Sequence, residues 1–300
     1  MSLQTGGAWT AIYTPFLSSG EVDLEALEGL CERQASAGVG IVACGTTGET
    51  PTLTSDEVDL VVSAAVRVAA GRVPVIAGTG SNSTRATIAQ TQRARELGVD
   101  GALVVTPYYN KPPVAGQLAH FRAVAEEGGL PMMLYNVPGR TGTRMSADTI
   151  LELASHPRVV AVKEASGDLD LFREILAGAP DGFTVLSGDD ALTAPAMRLG
   201  AGGVVSVASN LVPRAIARLV RAGNGDDLQA LSALHEELMP LFNALFLTSN
   251  PIPVKAAGEM LGHATAHVRL PLVAEALDEE MERALRLALD RALRVEASPS

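Results

Sequence analysis

The chain is poor in lysine and cysteine and has a deficit of positive charge, and each shortage excludes a class of function. Cys31 and Cys44 are the only cysteines in 300 residues. Two thiols cannot form a disulfide framework or a cysteine-rich zinc site, so both read as buried apolar residues. Lysine and arginine total 23 against 34 acidic residues, which leaves a net charge of −11 and a pI near 4.9. Such a surface repels nucleic acid and anionic membranes, and a small-molecule partner is expected instead. No apolar run approaches the ~20 residues that span a bilayer, and the opening MSLQTGGAWT lacks the basic-then-apolar pattern of a secretion signal. The expected location is the cytoplasm. No G-x-G-x-x-G follows the first apolar run, and GTTGE (45–49) lacks the pattern of an ATP-binding loop. His263 and His267 are four apart, but no third ligand or acidic motif accompanies them, so neither a metal nor any other cofactor is expected.

What the chain does have is apolar residues, at 47%, arranged in a rhythm. Short apolar runs alternate with amphipathic stretches: VGIVACG (39–45), then 55–70, PVIAGTG (74–80), then 84–98. The alternation continues through GALVVTPYY (101–109), PMMLYNVP (131–138), VVAVKEA (159–165), FTVLSGDD (183–190) and GGVVSVASN (202–210). With WTAIYTPF (9–16) these make eight strands, apolar at successive positions, as parallel strands covered on both faces must be. Eight strand-helix units in this length predict an α/β fold of the (β/α)8 TIM-barrel type. The expected organisation is a barrel over 1–223 and a C-terminal helical extension over 224–300, packed on the barrel, with helices in 226–246, 253–262 and 274–294.

In such a barrel the chemistry lies where the strands end. The candidates are Thr46, Thr47 and Glu49; Tyr108, Tyr109 and Asn110; Tyr135, Asn136 and Arg140; Lys163 and Glu164; and Ser187, Gly188, Asp189 and Asp190. Of the three lysines, Lys111 lies in the turn-like NKPP and Lys255 begins a late helix, so only Lys163 falls on a barrel strand. Burial disfavours an ammonium, and a neutral amine can attack a ketone to form an imine. The alternative is a structural pair with Glu164, but strand alternation sends adjacent side chains to opposite faces. Tyr135, Tyr109 and Thr46 offer hydroxyls at strand ends for moving protons, although Tyr108 and Tyr109 also suit aromatic packing or an interface. Thr46 and Thr47, with their backbone N–H groups ahead of a helix, suit a carboxylate. Arg140 can hold a second carboxylate through paired hydrogen bonds, or remain a solvated loop arginine. Asp189 and Asp190 read most simply as a helix N-cap and its neighbour.

Taken together, GTTGE (45–49), TPYYN (106–110), YNVPGRTG (135–142), VKEASG (162–167), SGDD (187–190), GGVVSV (202–207) and NPIPVK (250–255) resemble the dihydrodipicolinate synthase family. That family lies within the pyruvate-dependent class I aldolases that include N-acetylneuraminate lyase. The matching pieces run in family order over essentially the whole chain. The resemblance implies that Lys163 forms a Schiff base with pyruvate and that Tyr135, Thr46 and Tyr109 form a proton relay, with Tyr109 inserted from a neighbouring subunit. It implies that Thr47 binds the pyruvate carboxylate with the Val205 backbone beside it, that Gly188 lies at the substrate site, and that Arg140 receives the carboxylate of L-aspartate 4-semialdehyde.

The expected reaction is condensation of these two substrates to 4-hydroxy-tetrahydrodipicolinate, on the diaminopimelate and lysine pathway, in a homotetramer built as a dimer of dimers. The alternative is a related lyase acting on a sugar acid, against which the R-T-G after the YN-P motif speaks. A third reading, a 2-oxo-acid sensor, is disfavoured by the intact relay. The chain departs from lysine-inhibited relatives at Val58 and Ala86, where a histidine and a glutamate are expected, while Asn82 and Tyr108 match. Feedback by lysine is therefore expected to be weak, and half-inhibition at low lysine concentration would contradict this. The TSNP at 248–251 lacks an acidic residue just before Asn-Pro, a change without an assigned role.

Overall fold

The computed structural model describes residues 3–298. Eight parallel strands close into a barrel: β1 (Gly7–Ala11), β2 (Gly40–Ala43), β3 (Val75–Gly78), β4 (Gly101–Val105), β5 (Met132–Asn136), β6 (Val159–Glu164), β7 (Thr184–Ser187) and β8 (Gly203–Ser206). They pair in sequence order, and β8 returns to β1. The helices between them are α1 (Leu24–Ala37), α2 (Ser55–Ala69), α3 (Thr84–Glu96), α4 (Val114–Glu127), α5 (Pro138–Thr141), α6 (Ala147–Ala154), α7 (Leu169–Gly178) and α8 (Thr193–Arg198). The helix α9 (Pro213–Asn224) follows β8, and α10 (Leu228–Ala244), α11 (Ile252–Met260) and α12 (Glu279–Ala297) form the C-terminal part.

Strand alternation divides the core in two. Side chains such as Trp9, Val42, Ile76, Met133, Tyr135, Ala161, Leu186 and Val205 fill the barrel interior as one cluster. Their neighbours point outward into the larger cluster beneath the helices. Every strand is therefore buried on both faces, which is why its sequence reads as a continuous apolar run. Closure between β8 and β1 needs a close backbone approach: at Gly203, with φ +149°, a Cβ would overlap the Gly7 carbonyl. Only glycine fits there.

The helices are stopped and started by local chemistry. Thr54 and Glu57 form a reciprocal capping box on α2, with Glu57 N–H donating to Thr54 Oγ1 at 3.3 Å and Thr54 N–H donating to Glu57 Oε2 at 2.9 Å. Such a cap contributes about 1 kcal/mol. Asp168 caps α7 and Asp278 caps α12 in one direction only, each side chain accepting from two backbone N–H groups of the first turn. In the C-terminal part, α10 packs against α8, α9 and α12, and α11 packs against α12. Helix α12 runs over 279–297, with a short 3-10 turn at 274–276 preceding it, so the expected 274–294 helix starts later and ends later. His263 and His267 follow α11 in irregular chain rather than within a helix, and His267 meets the Phe16 ring edge-on. Among the described residues no helix is long and apolar enough to cross a membrane.

Candidate active site

Lys163 is the fifth residue of β6, two after the inward Ala161, so its side chain also turns into the barrel. It is 5% exposed, and among the described residues its Nζ has neither a hydrogen bond nor an ion-pair partner. Its register partner on β5 is Tyr135, and the Nζ lies 4.4 Å from the centre of that ring. The two residues are brought together by strand pairing alone. Gly188, just beyond β7, leaves the space they need: a Cβ there would sit 2.6 Å from Ala165 Cβ and 3.0 Å from Lys163 Cγ and Cε. Its N–H donates to the Glu164 carbonyl at 2.7 Å, which fixes it against β6.

Glu164 faces the other way. It accepts from Asn136 Nδ2 at 2.7 Å and from the Ser166 N–H at 2.6 Å, and burial holds its carboxyl above the usual range against those bonds. The adjacent carboxylate and lysine therefore do not pair. Asn136 completes this outward support by accepting from the Met145 N–H at 3.0 Å, which ties the end of β5 to the start of α6. Asp189 caps the turn after β7 through the Ala191 N–H at 2.9 Å. Asp190 is buried, with its carboxyl pushed up by burial, and accepts from the N–H groups of Val207 and Ala208 at 2.9 and 3.0 Å. It braces the chain that follows β8, on which Val205 is wholly enclosed.

Thr46 and Thr47 lie in the loop after β2, with Thr46 half-buried and Thr47 buried. Thr47 Oγ1 accepts from Asn250 Nδ2 at 2.9 Å. Arg140, on the one-turn helix α5, is exposed, and its Nη2 donates to the Asn250 carbonyl at 3.5 Å. Asn250 thus stands between two of the expected substrate-binding residues, a position that the motif NPIPVK did not disclose. Tyr109 projects from its own chain. It is 89% exposed at a positive φ of 72°, and only its backbone N–H is fixed, by the Thr141 carbonyl at 3.4 Å.

Glu49, a candidate by position, belongs instead to a buried ion pair with Lys255. Lys255 is the fourth residue of α11, whose first turn is buried, and its side chain is fully enclosed. Its Nζ also donates to the His267 carbonyl at 2.8 Å and lies 4.0 Å from the centre of the Phe16 ring. Burial draws its pKa down to about 8, against the opposing pull of Glu49. Glu49 Oε2 accepts from the Arg269 N–H at 3.0 Å, and the Arg269 guanidinium grips Glu57, whose carboxyl it holds at about 2. Among the described residues there is no cluster of three or more histidine, cysteine or acidic side chains suited to a metal ion.

An inward lysine beside a tyrosine at the strand ends of a closed barrel is a site for imine chemistry on a carbonyl compound. The Dihydrodipicolinate synthetase family profile matches residues 4–292. The chain belongs to that family. The 4-hydroxy-tetrahydrodipicolinate synthase of Exiguobacterium sibiricum is 50% identical over 268 residues, 89% of this chain and 92% of that protein. The crystal structure of dihydrodipicolinate synthase from Aquifex aeolicus superposes with a TM-score of 0.92 at 46% identity, covering 95% of this chain and 97% of that one. The chloride-inhibited dihydrodipicolinate synthase from Acinetobacter baumannii, complexed with pyruvate, gives 0.93 at 43% identity, covering 96% and 99%. The family's fold is thus the barrel that the apolar rhythm predicts.

Proposed function

We propose that the chain condenses pyruvate with L-aspartate 4-semialdehyde, as a 4-hydroxy-tetrahydrodipicolinate synthase on the route to diaminopimelate and lysine. The observation that carries this is Lys163, buried, directed inward and unpaired beside Tyr135. The Lys163 amine attacks the ketone carbon of pyruvate and the carbonyl oxygen leaves as water. The resulting imine acts as an electron sink, so the methyl group loses a proton to give an enamine. The enamine carbon attacks the aldehyde, whose oxygen takes a proton. The amino group of the second substrate then closes the ring on the imine carbon, and Lys163 is released.

Each proton step needs a donor or acceptor within reach. Tyr135 has that role at Lys163, with Thr46 and the Tyr109 of a neighbouring subunit completing the relay. Thr47 and the backbone near Val205 hold the pyruvate carboxylate, Gly188 bounds the site, and Arg140 receives the carboxylate of the aldehyde. The barrel of 1–223 supplies the reacting groups, and the extension of 224–300 packs on it. A homotetramer, built as a dimer of dimers in the cytoplasm, accompanies this reading. What supports the assembly is the exposure of the Tyr109 side chain, which packs little on its own chain.

The test is consumption of pyruvate by the purified protein with L-aspartate 4-semialdehyde as the only aldehyde, coupled to reduction of the product. Turnover is expected, and Lys163→Ala should abolish both turnover and borohydride trapping of pyruvate. Arg140→Ala should impair use of the aldehyde while trapping persists. Trapping without turnover in the unaltered chain would move the assignment to another aldehyde.

A further inference from the structure

The loop between β2 and α2 is fastened to the C-terminal part at several places, through Thr47, Glu49 and Thr52. Thr47 meets Asn250, just ahead of α11, and Glu49 meets Lys255 within that helix. The second contact anchors the loop, whereas the first engages an expected substrate-binding residue. Asn250 is 6% exposed and Thr47 2% exposed, so their hydrogen bond is shielded from water.

A hydroxyl has one proton and two lone pairs. The Asn250 Nδ2–H occupies a lone pair of Thr47 Oγ1, which leaves the threonine proton available to another acceptor. The opposite amide orientation would spend that proton on Oδ1 and strand both amide N–H groups without acceptors in a buried position, which is costly. As oriented, Asn250 Oδ1 is the atom left without a partner. Meanwhile the Asn250 carbonyl accepts from Arg140, so one residue touches both expected carboxylate-binding elements, with its side chain on one and its backbone on the other.

We propose that Asn250 is a positioning residue for pyruvate: its amide turns the Thr47 hydroxyl into a dedicated hydrogen-bond donor to the pyruvate carboxylate. This rests on the reading of Thr47 as a carboxylate ligand. A hydroxyl aimed at an anion in a shielded site makes a charge-assisted bond, and losing its orientation weakens binding of pyruvate before any chemistry. Side-chain changes at Asn250 leave its backbone carbonyl in place, so the aldehyde end is spared.

The experiment is a double-mutant cycle of Thr47→Val and Asn250→Ala, with KM for each substrate, kcat and thermal unfolding measured on all four proteins. Each single change should raise the pyruvate KM by about tenfold or more, the worth of one charge-assisted hydrogen bond. The double variant should be no worse than the poorer single, because both remove the same bond. The aldehyde KM should stay within about twofold in Asn250→Ala. Multiplying effects, or a fall in kcat and melting temperature with the pyruvate KM unchanged, would overturn the proposal and make Asn250 merely structural. If Thr47→Val leaves the pyruvate KM unchanged, the carboxylate role of Thr47 fails first and the proposal with it. Should Asn250→Ala not fold, Asn250→Asp preserves the volume but replaces the donor with an acceptor. A selective rise in the pyruvate KM there supports the proposal, and no rise overturns it.

Discussion

At Lys163 the geometry is decided by what its neighbours lack. Alternation turns it inward while Glu164 turns out, and the missing side chain of Gly188 leaves space for the Lys163 stem. This part of the site was legible in the sequence, because a scarce residue type in an apolar strand leaves few structural explanations. Gly188 was legible only through the SGDD motif, since the crowding that requires glycine comes from β6, on another part of the chain. Gly188→Ala tests that crowding. Its new methyl must displace Ala165 or the Lys163 stem, an overpacking cost of about 1–3 kcal/mol. The expected result is a lower melting temperature and slower borohydride trapping of pyruvate. Trapping at the original rate would show that Lys163 does not need the space.

The decisive interactions between elements are those that strand and helix periodicity cannot reveal. Lys255 and Glu49 are 206 residues apart, and neither segment hints at the other. Helical spacing placed Lys255 on a late amphipathic stretch, where a surface lysine is the ordinary outcome. The fold instead closes α11 over the loop after β2, and Phe16, His267 and Arg269 complete the enclosure. Removing one member of a buried pair leaves the other charge uncompensated, at a cost of about 3–5 kcal/mol. Lys255→Met and Glu49→Gln should each lower stability on that scale in denaturant unfolding. The double variant should be less destabilised than the sum of the singles, since no stranded charge remains. Additive losses would show that the two groups do not interact, and the loop would need another anchor. The Thr46 and Thr47 backbone lies just ahead of Glu49, so the same variants should also weaken pyruvate binding.

On the scale of the whole molecule, the barrel was readable because burial on both faces imposes a sequence signature on every strand, and the turn glycines punctuate it. The start of the last helix was less readable: 274–276 forms a separate short turn before α12 because Asp278, not an earlier residue, supplies the cap. Tyr109 poses the remaining question of what surrounds it, for a tyrosine 89% exposed on left-handed backbone gains little from its own chain. If it completes a neighbour's site, two inactive proteins should rescue each other. Lys163→Ala retains a functional Tyr109, and Tyr109→Phe retains a functional Lys163. In a mixed dimer one site then receives both, and random exchange of subunits should restore roughly a quarter of the unaltered activity, as two-fold symmetry requires. Dissociation and reassembly of the mixture, followed by the coupled assay, measures this directly. Tyr109→Phe must be nearly inactive alone for the experiment to read. Given that, no recovery in a mixture shown by mass to contain the mixed dimer would place Tyr109 in its own subunit's chemistry or outside catalysis altogether.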